Sequence, residues 1–345
     1  MSAYAVPVQV PVVDLPLVVA VRGPSKSGKT TLCVELVRTL EAGGVRTGWV
    51  KRTHHPLDLP AKASGRVWGA QPSAMLLRAP DRRQLTLPPG SDSAEDLIAA
   101  VSHHADVVLL ETHRPEPYPA VLLDGSQPAE GEQVVAQWHG VGGGQDLEEL
   151  ATRIRSLLPH DLVAARAIRR AREFHGGRGC PGVVLGARLA LAAADALGLA
   201  LPDTGKRLLV VAETSRCALD ALVAVTGCRP GRRTLRVDDQ GKLAARFYDL
   251  AAPRAVRVAA LPGLREKADA AFPALERFEA QRLAYALLPA TELFSVRPWP
   301  FDLTESDLPG KPHARVECRV CGEEVSDGRH IEDETGFRCR SCAGR

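Results

Sequence analysis

The chain has 345 residues, which is enough for two or three domains, and it contains 45% hydrophobic and 25% charged residues, as globular proteins do. A net charge of +3 does not indicate nucleic acid as a partner. The most apolar stretch, VVLGARLALAAADALGLA, contains Arg188 and Asp195 and predicts a buried helix instead of a membrane span. The N-terminus lacks the pattern of an export signal, so we expect a cytoplasmic protein without a membrane partner. We therefore interpret its eight cysteines as metal ligands or reactive thiols in preference to disulfides.

The first segment, residues 1–158, alternates short apolar runs with helical patterns. Strands are predicted for LVVAVR (17–22), VRTGWVK (45–51) and DVVLLE (106–111), and helices for TLCVELVRTLEAGG and DLEELATRIRSLL (146–158). Residues 56–93 are rich in Pro, Ser and Gly and predict a loop. Strand–helix alternation predicts an α/β domain with a parallel sheet.

Residues 23–30 read GPSKSGKT and fit the phosphate-loop pattern G-x-x-x-x-G-K-[ST]. Glycines let the backbone N–H groups point at a phosphate, and the helix that follows adds its positive end. The predicted nucleotide-binding residues are Gly23, Ser25, Lys26, Ser27, Gly28, Lys29, Thr30 and Thr31. Thr30 is also a predicted Mg²⁺ ligand. Glu111 is the best candidate for a carboxylate that holds the ion through water. The alternative is that Glu111 is an ordinary exposed residue at a strand end.

The second segment, residues 160–300, predicts an α+β domain. Helices are predicted for DLVAARAIRRAREF, for 183–199 and for CALDALVAVTG, and strands for RLLVVAE, GKLAARFYD and RAVRVAA. The first of these helices is basic, with arginines at 166, 169, 170 and 172 and a further one, Arg178, beyond it. They form either a solvated face or a clamp for an anionic ligand such as a pterin phosphate or molybdate.

The stretch FHGGRGCPG (174–182) is either a glycine-rich turn or half of a metal site. Cys180 directly precedes a long helix, whose N-terminal end stabilises a thiolate. Cys217 and Asp220 are three residues apart on a predicted helix and share a face. A soft tetrahedral site for zinc or iron is therefore a hypothesis, with candidate ligands His175, Cys180, Cys217, Asp220 and Cys228. The alternative is that these cysteines are small buried hydrophobic residues.

A linker rich in Pro and Asp (298–313) leads to a tail, residues 313–345, with the pattern C-x2-C-x17-C-x2-C. Two such pairs place four thiolates around one Zn²⁺ ion, here Cys318, Cys321, Cys339 and Cys342. The tail therefore predicts a zinc ribbon, with Gly322 and Gly336 in its tight turns. Its arginines leave nucleic-acid contact open, but protein contact or capping of the central domain is favoured.

The run GPSKSGKTTL, then VKRTHH, then an acidic strand end resembles molybdopterin-guanine dinucleotide biosynthesis protein B (MobB) over residues 1–158. The resemblance implies GTP binding and assistance in attaching GMP to molybdopterin. It implies that Gly23 to Thr31 bind phosphate, that Lys51 to His55 form a signature loop beside it, and that the protein is a homodimer. The alternative for His54 and His55 is a solvated loop pair.

Four ordered motifs over about 165–300 resemble the FmdE family of formylmethanofuran dehydrogenase proteins. They are Phe174-His175-Gly176, Cys180-Pro181-Gly182, Glu213 with Cys217, Asp220 and Ala221, and Gly227-Cys228 with Gly231. The family is associated with molybdenum and tungsten enzymes of one-carbon metabolism, and the resemblance implies a metal at the His and Cys positions. The family usually has a second histidine, which is missing here, so the resemblance implies a metal site with one open coordination position or, as the alternative, a glycine turn that has lost its ligand.

Together these features predict a molybdenum-cofactor accessory protein that binds GTP, Mg²⁺ and Zn²⁺ and handles molybdopterin or its guanine dinucleotide. Its partners would be cofactor-biosynthesis enzymes and a formate- or formylmethanofuran-type dehydrogenase. No arginine finger or catalytic glutamine can be assigned, so GTP hydrolysis is expected to be slow and used as a switch. The alternatives are a nucleotide-gated metallochaperone and a non-enzymatic regulator that binds through the zinc ribbon.

Overall fold

The computed structural model describes residues 14–52, 75–78, 80–86, 93–139, 146–177, 179–311, 314–334 and 336–344. The chain divides into two compact units, Met1–Leu162 and Val163–Arg345. Among the described residues, no helix has both the length and the apolar character needed to cross a membrane. The apolar stretch around Arg188 is a buried helix, as the sequence predicts.

The first unit is built on a five-stranded sheet in which every neighbouring pair is parallel. Its strands are β1 (Leu17–Arg22), β2 (Thr47–Lys51), β5 (Val107–Thr112), β6 (Ala120–Leu123) and β7 (Val134–Trp138), in the order β2-β5-β1-β6-β7. Its helices are α1 (Lys29–Ala42), α2 (Ala94–Ser102) and α3 (Leu147–Ser156). The predicted parallel α/β architecture is confirmed. Strands β1 and β5 are buried along their whole length, as the continuous apolar runs of a parallel sheet require.

Two further strands in this unit, β3 (Met75–Arg78) and β4 (Arg83–Thr86), form an antiparallel hairpin. The prediction of a loop over 56–93 is therefore wrong for these residues. Pro, Ser and Gly dominate the flanks of the segment, whereas MLLR and RQLT have the apolar side chains that a short hairpin pairs across its strands, Leu76 opposite Leu85 among them.

The second unit holds a mixed sheet of β8 (Leu208–Ala212), β9 (Leu235–Val237), β10 (Ala244–Asp249), β11 (Arg254–Ala260) and β12 (Phe294–Trp299), in the order β12-β11-β10-β8-β9. Strand β9 runs parallel to β8, and the other pairs are antiparallel. The helices are α4 (Leu162–Phe174), α5 (Pro181–Leu197), α6 (Ala218–Thr226), α7 (Leu264–Ala271), α8 (Arg277–Leu287) and α9 (Ala290–Leu293). The predicted α+β class is confirmed.

Helices α5 and α6 cross at very short range, at Gly186. An ideal Cβ built on Gly186 would lie 2.6 Å from the carbonyl oxygen of Ala218 and 2.8 Å from the Cβ of Ala221. Only glycine allows two helix backbones to approach this closely. The residue that precedes each helix, Cys180 for α5 and Cys217 for α6, is thereby brought to the same end of the helix pair.

Arg188 is a buried charged residue on α5, with only 8% of its surface exposed. Its guanidinium donates hydrogen bonds to the carbonyl oxygens of Ala286 at 2.5 Å and Leu288 at 2.9 Å. These carbonyls lie at the C-terminal end of α8, where backbone acceptors lack helical partners and a cation interacts favourably with the helix dipole. Arg188 therefore fixes α8 against the central helix α5.

The tail forms two short hairpins, β13 (Val316–Glu317) with β14 (Glu324–Val325) and β15 (Ile331–Asp333) with β16 (Gly336–Arg338). Gly322 and Gly336 both have positive φ, at 75° and 108°, as predicted for tight turns. Residues 298–313 are not linker throughout, because β12 extends to Trp299.

Replacing Gly186 with alanine should destabilise the second unit. The new methyl group collides with backbone atoms of α6, and overpacking of this kind costs about 1–3 kcal/mol although alanine normally favours a helix. Chemical denaturation of full-length Gly186→Ala measures this. Gly231→Ala is the control, because no atom lies within 4 Å of a Cβ built there. Equal stability of the two variants would contradict the close crossing.

Candidate nucleotide and metal sites

The phosphate loop lies between the carboxyl end of the central strand β1 and the first turn of α1. Gly28 precedes α1 with a φ of 86°, a conformation that favours glycine. An ideal Cβ on Gly23 would lie 2.7 Å from Ser27 Oγ and 2.9 Å from Leu123 Cβ, so this position also requires glycine. Ser27 Oγ is buried and has no hydrogen-bond partner within the described part of the chain. The loop is thus shaped to curl around an acceptor that the protein does not itself provide.

Lys29 is turned back onto the loop. Its Nζ donates hydrogen bonds to the carbonyl oxygens of Gly23 at 2.9 Å and of Pro24 at 2.5 Å. This arrangement keeps the ammonium group at the mouth of the loop, where it can exchange the carbonyls for phosphate oxygens.

The predicted magnesium pair lies in contact. Thr30 Oγ1 is 2.9 Å from Glu111 Oε1 and 3.0 Å from Glu111 Oε2. Lys51 Nζ forms an ion pair with Glu111 Oε1 at 2.8 Å. The strand register explains why these side chains meet. Val21 of β1 and Lys51 of β2 both pair with Glu111 of β5, so the three neighbouring strands end at the same edge of the sheet. Glu111 is only 6% exposed, unlike an ordinary residue at a strand end.

These residues surround an open cavity of about 830 Å³. Seven of the eight predicted nucleotide-binding residues line it, all except Gly23. Lys51, Arg52 and His113 line it as well. The guanidinium of Arg52 forms an ion pair with Glu116. His54 and His55, together with the rest of 53–74, lie outside the described residues.

In the second unit, the donor atoms of His175, Cys180 and Cys217 all lie within 4.8 Å of one another. His175 follows the C-terminal end of α4, and the two cysteines precede α5 and α6. Gly176 and Gly177 have φ values of 83° and 81°, so the glycine pair reverses the chain between α4 and α5. The stretch FHGGRGCPG is therefore a turn whose geometry brings His175 and Cys180 together. Arg178 lies outside the described residues.

Asp220 contacts this group through the histidine. Its Oδ2 is 2.7 Å from His175 Nδ1, a contact that orients the imidazole and leaves Nε2 as the ring nitrogen that could bind a metal. Carboxylates commonly orient metal-binding histidines in this way. The structure thus places Asp220 behind a candidate ligand instead of among the ligands.

The structure places Cys228 outside the group of His175, Cys180 and Cys217. It is 1% exposed, and its thiol donates to the carbonyl oxygen of Leu208 at 3.3 Å. Burial raises the pKa of its thiol to about 11, so it behaves as a small hydrophobic residue. Burial also raises the pKa of Cys180, against the expectation that the helix end stabilises its thiolate. A metal ion bound at this thiol would favour its thiolate form.

The basic helix α4 is not a uniformly solvated face. Arg169 is 8% exposed and lies 3.9 Å from Glu173, and Arg172 packs beside Gly179, whose ideal Cβ would lie 2.9 Å from Arg172 Nε. Arg172 therefore packs against the turn that follows the helix, whereas Arg169 contacts Glu173 within it.

The four tail cysteines converge. The Sγ atoms of Cys318, Cys321, Cys339 and Cys342 lie within 4.8 Å of one another, and those of Cys321 and Cys339 are 3.9 Å apart. Zn–S bonds of about 2.3 Å give S–S separations of about 3.8 Å in a tetrahedron. Backbone N–H groups of Cys321 and Cys339 lower the pKa of the buried Cys318 thiol, which favours the thiolate form of a metal ligand. The group can hold one metal ion.

Two family models match the chain. Residues 18–137 match Molybdopterin guanine dinucleotide synthesis protein B (MobB), and residues 174–295 match FmdE, Molybdenum formylmethanofuran dehydrogenase operon. The chain joins a MobB-like segment to an FmdE-like segment. The phosphate loop and Glu111 belong to the MobB-like segment, and the His175, Cys180 and Cys217 group belongs to the FmdE-like segment.

Two curated proteins are similar to parts of the chain. The molybdopterin-guanine dinucleotide biosynthesis adapter protein of Haemophilus influenzae is 32% identical over 114 residues, which are 32% of this chain and 64% of that protein. A probable S-adenosyl-L-methionine-binding protein of Archaeoglobus fulgidus is 38% identical over 80 residues, 22% of each chain. The chain therefore spans less than two thirds of the length of either relative.

Solved structures of both kinds are also similar. A tungsten formylmethanofuran dehydrogenase FmdE-like protein from Syntrophus aciditrophicus is 25% identical, with a TM-score of 0.37 over 52% of this chain and 92% of that one. MobB of Bacillus subtilis is 20% identical, with a TM-score of 0.32 over 42% of this chain and 99% of that one.

Sequence reasoning missed the Lys51–Glu111 ion pair in the MobB-like segment and the role of Asp220 in the FmdE-like one. The Lys51–Glu111 ion pair follows from strand register. The lysine at the end of VRTGWVK, opposite the glutamate that ends DVVLLE, is a sequence signal that could have predicted this ion pair. The second depends on a contact between residues 45 positions apart, for which the sequence has no local signal.

Cys180→Ser should lower the metal content of the protein, because the group then loses one of its three described donors. Metal per chain, measured by plasma mass spectrometry, checks this. Cys228→Ser is the matched control, since Cys228 lies outside the group in the same unit. Equal metal content in the two variants would show that Cys180 does not bind a metal.

Proposed function

We propose that the protein is a GTP-binding accessory factor that completes or delivers molybdopterin guanine dinucleotide. The observation that carries this proposal is the contact of Thr30 and Glu111 beside a formed phosphate loop, within a segment that matches MobB. The FmdE-like segment on the same chain supports a client of the formate- or formylmethanofuran-dehydrogenase type. Reduced thiols at two candidate metal sites fit a cytoplasmic location.

In this proposal the loop N–H groups and Lys29 bind the nucleotide phosphates, and the buried Ser27 hydroxyl donates a hydrogen bond to a phosphate oxygen. Thr30 and Glu111 hold Mg²⁺, with Lys51 balancing the carboxylate charge until the ion is bound. Hydrolysis is slow, because Arg52 at the cavity is already paired with Glu116. GTP is preferred to ATP, a proposal that rests on the similarity to MobB.

The FmdE-like segment is proposed to hold a metal ion through His175, Cys180 and Cys217. An imidazole and two thiolates suit zinc or iron, and three protein ligands leave a position for an exogenous ligand. The four tail thiolates are proposed to hold a structural Zn²⁺. The arrangement would supply one closed and one open metal site in a single chain.

A second candidate function is a nucleotide-gated metallochaperone, which the open three-donor site favours. Mass spectrometry of small molecules bound to the purified protein distinguishes the two. A copurified pterin supports the cofactor role, and metal release that depends on GTP supports the chaperone role. We also propose a homodimer, on the similarity to MobB; the mass of the particle in solution tests it.

Lys29→Ala should reduce GTP binding at least tenfold, because the ammonium group is proposed to bind phosphate. The fold should persist, because this group lies at the surface of the loop and does not pack in the hydrophobic core. Isothermal titration with GTP and Mg²⁺ measures it, with ATP as the comparison. Arg38→Ala, on the exposed face of α1, is the control and should bind as the parent does. Unchanged GTP affinity in Lys29→Ala would disprove the assigned phosphate site.

The protein should bind two metal ions per chain with different labilities. The tail site is closed by four thiolates and should resist a weak chelator, whereas the three-donor site should release its ion. The double variant Cys339→Ser/Cys342→Ser should lose the slowly released equivalent alone. A single equivalent in the parent protein, lost in this double variant, would remove the central metal from the proposal.

A further inference from the structure

Lys51, the last residue of β2, contacts both residues of the proposed magnesium pair. Its Nζ is 2.8 Å from Glu111 Oε1 and 3.4 Å from Thr30 Oγ1. All three residues line the cavity in front of the phosphate loop. The ammonium group is therefore bound by the same side-chain oxygens that the proposed function assigns to Mg²⁺.

The position of this ammonium group follows from the fold. The strand register pairs Lys51 with Glu111 across β2 and β5. Trp49 lies two residues earlier on β2, on the same face of the strand, and lines a groove with Thr30 and Cys33 of α1. The face of β2 that carries Lys51 is thus directed toward the first turn of α1, where Thr30 lies.

Glu111 cannot hold the ammonium group and a divalent cation at the same time. Its side chain is 4% exposed, so it is not free to turn toward solvent and take a second partner there. Both of its oxygens accept hydrogen bonds from Thr30, and Oε1 also contacts Lys51. A metal ion added at this carboxylate would place three positive charges beside one negative charge, which is strongly unfavourable in a partly buried site.

Two other cations that line the cavity have different partners. Lys29 Nζ donates to carbonyl oxygens of the phosphate loop, and Arg52 forms an ion pair with Glu116. Lys51 differs from both because its partner is the carboxylate assigned to the metal. Removal of the Lys51 charge should therefore change metal binding in a way that removal of the Arg52 charge does not.

We propose that Lys51 and Mg²⁺ occupy the Glu111 carboxylate in mutually exclusive states, so that the metal enters the site only together with a nucleotide. In proteins Mg²⁺ is usually held by one or two carboxylates together with phosphate oxygens and water. Phosphate bound by the loop supplies the further oxygens that favour the metal over the ammonium group. Without phosphate, Lys51 neutralises Glu111 and excludes a divalent cation. The proposal deepens the proposed function and rests on it, because it requires Thr30 and Glu111 to be the metal site.

Isothermal titration of the full-length protein with GTP, in the presence and in the absence of Mg²⁺, tests this exclusion. Lys51→Gln should weaken metal-free binding about tenfold, because an unpaired Glu111 carboxylate then repels the phosphates. Binding in the presence of Mg²⁺ should stay within about threefold of the parent, because the metal neutralises Glu111 in both proteins. Lys51→Arg keeps the charge and should keep the metal-free affinity of the parent.

Two further variants separate this role from a general effect of charge. Arg52→Gln, the matched control, removes one positive charge from the same cavity but leaves Glu111 paired, so it should change both GTP affinities by a similar factor. The double variant Lys51→Gln/Glu111→Gln has no unpaired charge and should recover the metal-free affinity of the parent. Lys51→Met, which keeps the aliphatic stem, covers the case in which Lys51→Gln fails to fold.

Mn²⁺ reports the metal site without any nucleotide, and electron paramagnetic resonance counts the bound and free ion. The protein is first loaded with zinc, so that the cysteine groups are occupied. Lys51→Gln should bind Mn²⁺ about tenfold more tightly than the parent, because no ammonium group has to leave. The double variant should lose this gain, which assigns the ion to Glu111.

The proposal is overturned if Lys51→Gln changes GTP affinity by the same factor with and without Mg²⁺, or if Mn²⁺ binds the parent as tightly as it binds Lys51→Gln. The same titrations with ATP separate it from the proposed function. If ATP shows the exclusion and GTP does not bind, the GTP role fails and the exclusion stands. If GTP binds without the exclusion, the exclusion fails alone. If neither nucleotide binds, the proposed function fails and the Mn²⁺ comparison decides the exclusion.

Discussion

The second unit depends on the approach of α5 and α6 at Gly186. At this crossing the Cβ position of a larger residue is already occupied by the backbone of Ala218. The closeness sets the positions of Cys180 and Cys217, because each cysteine is the residue before one of the two helices. It also places Gly182, on the first turn of α5, beside both cysteines. A single packing constraint thus brings together candidate ligands that are far apart in sequence.

The nucleotide site is organised differently, since its main parts are contiguous. Residues 23–30 carry the loop and the start of its helix, so pattern and spacing alone predict the phosphate-binding residues. The partner carboxylate could also be predicted, because Glu111 ends an apolar run that had to be an interior strand, and interior parallel strands end at the same edge. The lysine that ends VRTGWVK indicates the ion pair only once β2 and β5 are known to be neighbours, and that strand order follows from packing.

The central site shows where sequence reasoning stops. His175 and Cys180 are predictable because a glycine turn holds them close, and Cys217 because it shares a face of a predicted helix with Asp220. Cys228 shares their chemistry but follows α6 instead of preceding it, so it points its thiol at Leu208 in the core. Motif order could not separate these cases, because residue type and spacing do not show which thiol is buried in the core.

The missing second histidine of the FmdE pattern now has a structural meaning. Gly177 occupies the turn with a positive φ, a backbone conformation that favours glycine, so the form of this turn and the missing side chain go together. Three protein donors remain, and Asp220 fixes the only imidazole among them through Nδ1. Four thiolates enclose a metal ion completely, whereas two thiolates and one imidazole leave a coordination position free. In the proposed function, the tail site would stabilise the tail and the central site would exchange a ligand.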